Sequence, residues 1–160
     1  MKKLMWVLVF LCLSPLPVST AMAGRTDRMC YDFDARSARV KERIAWNEKM
    51  IYDDLAGLKQ DQARTRGNPR LALADEKLNL AIRLCNDALN QVQVLKDRMP
   101  REVDCGERHR AVRRTVDSEV MALTDVEAQI SNLSIMVNQY RTLRSEAASI
   151  IQSVGGGSRY

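Results

Sequence analysis

Three stretches of this chain carry apolar side chains at steps of three and four, the spacing of one helical face. In the first, Phe33, Val40, Ile44, Ile51, Leu55 and Leu58 form the stripe, widened by Trp46, Met50 and Ala56. It predicts a helix over about 34–64, with Asp32 or Asp34 able to cap its free amides. Asn47 falls on the stripe between Ile44 and Ile51, either as a buried polar group that sets register or as a wet marginal position. Gly67-Asn68-Pro69 then reads as a stop and restart: glycine for a left-handed helix end, asparagine for the next cap, and proline where its missing N–H costs nothing.

The second stripe, Leu71, Leu78, Ile82, Cys85, Leu89, Val92 and Met99, predicts a helix over about 69–98, ended by Pro100. Asp104 and Glu107 resemble a capping box opening a third helix over about 105–154. Its stripe is the cleanest: Val112, Val116, Val120, Leu123, Val126, Ile130, Leu133, Val137, Tyr140, Ala147, Ile151 and Val154. From Leu123 to Tyr140 the steps alternate three and four, which is coiled-coil spacing. Gly155-Gly156-Gly157 ends it, and 155–160 reads as a flexible tail.

Short connections make neighbouring helices antiparallel. The expected fold is therefore all-α: an elongated antiparallel three-helix bundle or coiled coil with a long third helix. At about 1.5 Å per residue the first two helices span roughly 45 Å and the third roughly 75 Å. On this reckoning the third helix outruns its hairpin from around Leu133 onward. Leu133, Val137, Tyr140, Leu143, Ala147, Ile151 and Val154 would then need another subunit or a partner to cover them. The alternative is a break near Ser131-Asn132 that folds the last segment back into a four-helix bundle.

The N-terminus has a different pattern. Lys2 and Lys3 precede the apolar run Leu4–Leu13, which Pro15 and Pro17 break before Ala21-Met22-Ala23. A positive start, a short apolar core and a small-x-small end are the parts of a signal peptide. The run is well below the roughly 20 residues that span a bilayer. Residues 1–23 are expected to be removed, leaving a single helical domain over 24–154 with no bilayer-spanning segment. An uncleaved anchor is the alternative; a lipid attachment at Cys12 is disfavoured by the bulky Val9-Phe10-Leu11 before it. The localisation implied is periplasmic or secreted.

Composition supports helices: aromatic residues make up only 5% of the chain. The net charge is +5, of which Lys2 and Lys3 supply two, and the remaining charges interleave instead of forming a basic stripe. Nucleic acid is therefore not an expected partner. The densest basic stretch, Arg108 to Arg114, reads as a solvated helix face.

Cys30, Cys85 and Cys105 remain after the leader, an odd number. In the up-down-up arrangement Cys30 and Cys105 share one end, whereas Cys85 lies mid-helix, so Cys30–Cys105 is the expected bridge and Cys85 a small buried hydrophobe. Cys30–Cys85 is the rival, should the N-terminal segment fold along the second helix. His109 stands four residues after Cys105, a spacing that can seat two metal ligands, but an oxidising compartment opposes free thiolates. No metal or cofactor is expected. Asn132-Leu133-Ser134 matches a glycosylation sequon, a pattern that recurs by chance.

No phosphate loop, His-Glu-x-x-His or serine elbow is present, and no catalytic residue is assigned. The expected function is that of an exported structural or interaction protein, not an enzyme. It would associate through its C-terminal helix with itself, as a homodimer, or with another component of an envelope or secretion-related assembly. The alternative is a small binding or inhibitor module acting through the polar tip 60–70, with Arg64, Arg66 and Arg70 as anchors.

Overall fold

The computed structural model describes residues 18–100, 103 and 109–156, with side chains over 28–100, 103 and 114–155. Within these the chain is an all-α bundle: α1 (Val18–Thr65), a 3-10 turn (Pro69–Leu71), α2 (Ala72–Asp97) and α3 (His109–Gly156). Among the described residues there is no strand. The expected ends of the first hairpin are within a few residues of those observed. Gly67 takes φ 79° and Asn68 Oδ1 accepts from Arg70 N at 3.0 Å, with Pro69 opening the 3-10 turn. Buried Thr65 locks this corner, its hydroxyl reaching Asp75 Oδ1 at 3.1 Å and Gln62 O at 3.0 Å.

One expectation about a helix end changes. α1 does not start at Asp34; it is helical from Val18, and Asp32 and Asp34 are exposed mid-helix residues, not caps. The stripe explains this, because Cys30 and Phe33 are buried in register with Ser37 and Val40. No proline interrupts the chain between Val18 and Asn68. Asp104 and Glu107, the expected caps of the third helix, lie outside the described residues. α3 runs without a break through Ser131 and Asn132, so the four-helix alternative does not form.

The side-chain pairs fix the levels of the helices. α1 and α3 run parallel, tied by Arg36–Glu127, Asp54–Arg141 and Asp61–Arg144. α2 runs antiparallel between them, tied by Lys96–Glu48 to α1 and by Lys77–Glu146 and Arg98–Asp125 to α3. α2 therefore ends beside Asp125, 16 residues above the start of α3 at His109. That drop is about 24 Å at 1.5 Å per residue. Of the residues between α2 and α3 that the structure describes, Met99 and Val103 pack against the core and Pro100 is buried.

This offset removes the expected overhang. α1 and α3 are each 48 residues long; they begin at matching levels, and the last turns of α3 run past Thr65 beside the 3-10 turn. The residues around Leu133 to Val154 lie against the α1–α2 hairpin, so α3 outruns α2 at its N-terminal end and nowhere at its C-terminal end. The core is continuous along the whole bundle, from Cys30 and Val116 to Ala147.

Candidate interaction surface

The stripe expected to receive a partner is the interior of the protein. Leu133, Tyr140 and Ala147 are fully buried, Val137 nearly so, and Leu143 and Ile151 pack on the same core. Val154 is half-buried. The expectation is corrected for a physical reason: a three-four repeat looks the same after a shift of whole heptads, so periodicity alone could not say how far α3 had slid along the hairpin.

Polar groups seal this packing. Tyr140 Oη donates to Asp54 Oδ2 at 2.7 Å, and Arg141 Nε and Nη2 donate to the same oxygen at 2.9 and 2.8 Å. Burial first, then that hydrogen bond and the charge of Asp54, push the Tyr140 hydroxyl well above its ordinary range. Arg144 Nε donates to Asp61 at 2.8 Å, its guanidinium lying across Gly57, where a Cβ would sit 2.7 Å from Nη2. Lower down, Arg36 clasps Glu127 with Nε and Nη2 and reaches Thr124 Oγ1 at 3.1 Å. The bond from Arg36 lowers the Glu127 pKa and raises that of Arg36. Asn47 does not set register: its Nδ2 donates to Arg43 O one turn back.

Cys30 is buried and disulfide-bonded, while Cys85 is a free, fully buried thiol. A free Cys85 rules out the Cys30–Cys85 pairing. Cys105 lies outside the described residues. The Cys85 thiol donates to Ile51 O at 3.4 Å, and burial pushes its pKa up to about 11, so it stays neutral and unreactive. Among the described residues no group of His, Cys, Asp and Glu could hold a metal ion, and the side chain of His109 is not among them. No described helix is long and apolar enough to cross a membrane. At the tip, Arg64, Arg66 and Arg70 are exposed as expected, with Arg64 3.9 Å from Asp61.

The surface that stands out is the outer face of α3. Its outermost line runs Met121, Ala128, Ile135, Thr142 and Ser149, flanked on one side by Thr124, Ser131, Asn138 and Ser145 and on the other by Asp125, Asn132, Gln139 and Glu146. All of these are exposed. Among them only Asp125 and Glu146 are charged, and residues 128–140 contain no Asp, Glu, Lys or Arg in a chain that is 28% charged. The outer face of α1 also exposes Trp46, but there Arg39, Glu42, Lys49 and Asp53 surround it with charge. Ile135 is 56% exposed and Met121 75%. Beside them Leu84, Ile135, Asn138, Gln139, Thr142 and Leu143 line a shallow groove between α2 and α3, extended along α2 by exposed Leu73 and Leu80. The charge-free run that marks this face is legible in the sequence, whereas the apolar stripe of the same helix marks its buried side. The chain matches no protein family, no curated protein and no solved structure.

Proposed function

We propose that this is an exported helical interaction protein whose docking surface is the outer face of α3 and the groove it forms with α2. The observation that carries the reading is exposure without charge: interface centres are depleted in charged residues, whereas a purely solvated face is not. Small and uncharged polar side chains let a second helix approach closely, and Leu73, Leu80, Leu84 and Ile135 give it an apolar seat. The polar groups that could suggest chemistry are engaged instead in holding helices together, Tyr140 with Asp54 and Arg144 with Asp61. A binding role, not catalysis, fits these assignments.

The N-terminal pattern supports export to the periplasm or beyond, and the bridged state of Cys30 suits an oxidising compartment. Within that reading Cys105 is the partner of Cys30. Mass mapping under non-reducing conditions should return a peptide joining the two; a free Cys105 thiol in oxidised protein would refute the pairing. The second reading, recognition through the tip, is favoured by one observation: Arg66 and Arg70 are exposed around a turn fixed by Gly67 and Asn68.

A photo-crosslinker tests the choice. Placed at Asn138 in the native host, it should yield a discrete protein adduct, while the same group at Glu42 on α1 should not. Equal labelling from both faces, or adducts only from Arg66, would defeat the α3 assignment.

A further inference from the structure

We infer that the occupant of this surface is a second copy of the chain, packed antiparallel through α3 about a two-fold axis at Ile135. The inference rests on the reading of α3 as a docking face and names its partner. Such an axis sets Ile135 against its own copy and Ala128 against Thr142 of the other chain. Ser131 falls beside Asn138 and Asn132 beside Gln139, so uncharged polar groups meet groups that can bond them.

Charge selects this arrangement further. Asp125 comes level with Glu146 of the second copy, which alone would repel. Each acid, however, already has a cation on the α2 side of the face: Arg98 at 3.8 Å from Asp125 and Lys77 at 2.6 Å from Glu146. The axis brings Arg98 towards Glu146 of the other copy and Lys77 towards its Asp125, closing two alternating four-charge clusters. The area fits a weak, concentration-dependent pair. From Met121 to Ser149, the stretch symmetric about Ile135, the face is roughly 42 Å long and about 10 Å wide, on the order of 400 Å² per copy. The total of about 800 Å² lies in the range of weak and transient interfaces, so the pair should dissociate on dilution.

The test is the mass of the mature protein in solution together with two substitutions at Ile135. Sedimentation at high protein concentration should give twice the chain mass. Ile135→Cys should form an intermolecular disulfide under mild oxidation, because the axis places the residue against itself. Ile135→Arg should raise the dimer dissociation constant by roughly thirtyfold or more, as expected for a central interface residue, with an unchanged helical circular-dichroism spectrum since the side chain is exposed. Trp46→Arg on the outer face of α1 should leave the mass unchanged. A monomer at all concentrations, or a dimer indifferent to Ile135→Arg with no Ile135→Cys bridge, would overturn the inference. A monomer that nonetheless crosslinks another protein from Asn138 would overturn self-pairing while leaving the docking surface in place.

Discussion

Individual side chains in this bundle serve as seals and clamps between helices. Tyr140 places its ring in the core and its hydroxyl on Asp54, which also accepts from Arg141. Tyr140→Phe should therefore cost about 1 kcal/mol in urea unfolding, the usual net worth of one hydrogen bond, because Arg141 still satisfies Asp54. The Arg36–Glu127 clasp makes a pH prediction. Glu127 has a lowered pKa in the folded protein, so its carboxylate contributes stability above the ordinary range and loses it as pH falls below about 4.5. Both partners are about a third exposed, which keeps the effect small. Glu127→Gln should flatten the acid side of the stability–pH curve without altering the alkaline side. Cys85 behaves oppositely to a reactive thiol: buried with a pKa near 11, it should resist alkylation until the protein unfolds.

At the scale of elements, the turn residues and apolar stripes were legible in the sequence, and the vertical position of α3 was not. Gly67, Asn68 and Pro69 act through local geometry, so their roles can be read from three letters. The slide of α3 rests on long-range pairs such as Arg36–Glu127 and Arg98–Asp125, and no local rule encodes those. Asn47 illustrates the same limit, since its position on the stripe said nothing about its bond to Arg43. Leu133 now decides between core and interface. Leu133→Ala should destabilise the monomer by about 2–4 kcal/mol, as cavity-forming core changes do, and should leave the protein's mass in solution unaltered. Gly57→Ala tests a subtler balance. Alanine favours the helix by about 1 kcal/mol, while the displaced Arg144 loses a partly exposed bond to Asp61 of similar or smaller worth. Thermal unfolding should show little change or a slight gain, and a further Asp61→Ala change should then have almost no effect.

For the whole molecule, the arrangement divides the bundle into two regimes. Above Arg98 three helices pack; below it, among the described residues, α1 and α3 continue with Met99 and Val103 against them. The lower part should depend most on the bridge at Cys30. Under reducing conditions hydrogen exchange should quicken first around residues 28–40, while residues 51–62, enclosed by α2 and α3, keep their protection. Uniform loosening along α1 would contradict this division.

Because the three described helices alternate in direction, the start of α1 and the end of α3 lie at opposite poles. α1 and α3 each have 48 residues, so the poles are separated by about 70 Å at 1.5 Å per residue. A body held by one end thus carries its other end, together with the Arg66 tip, to a set reach. In an antiparallel pair centred on Ile135 the same geometry would point the two α1 starts in opposite directions and set the two Arg66 tips at opposite ends of the pair.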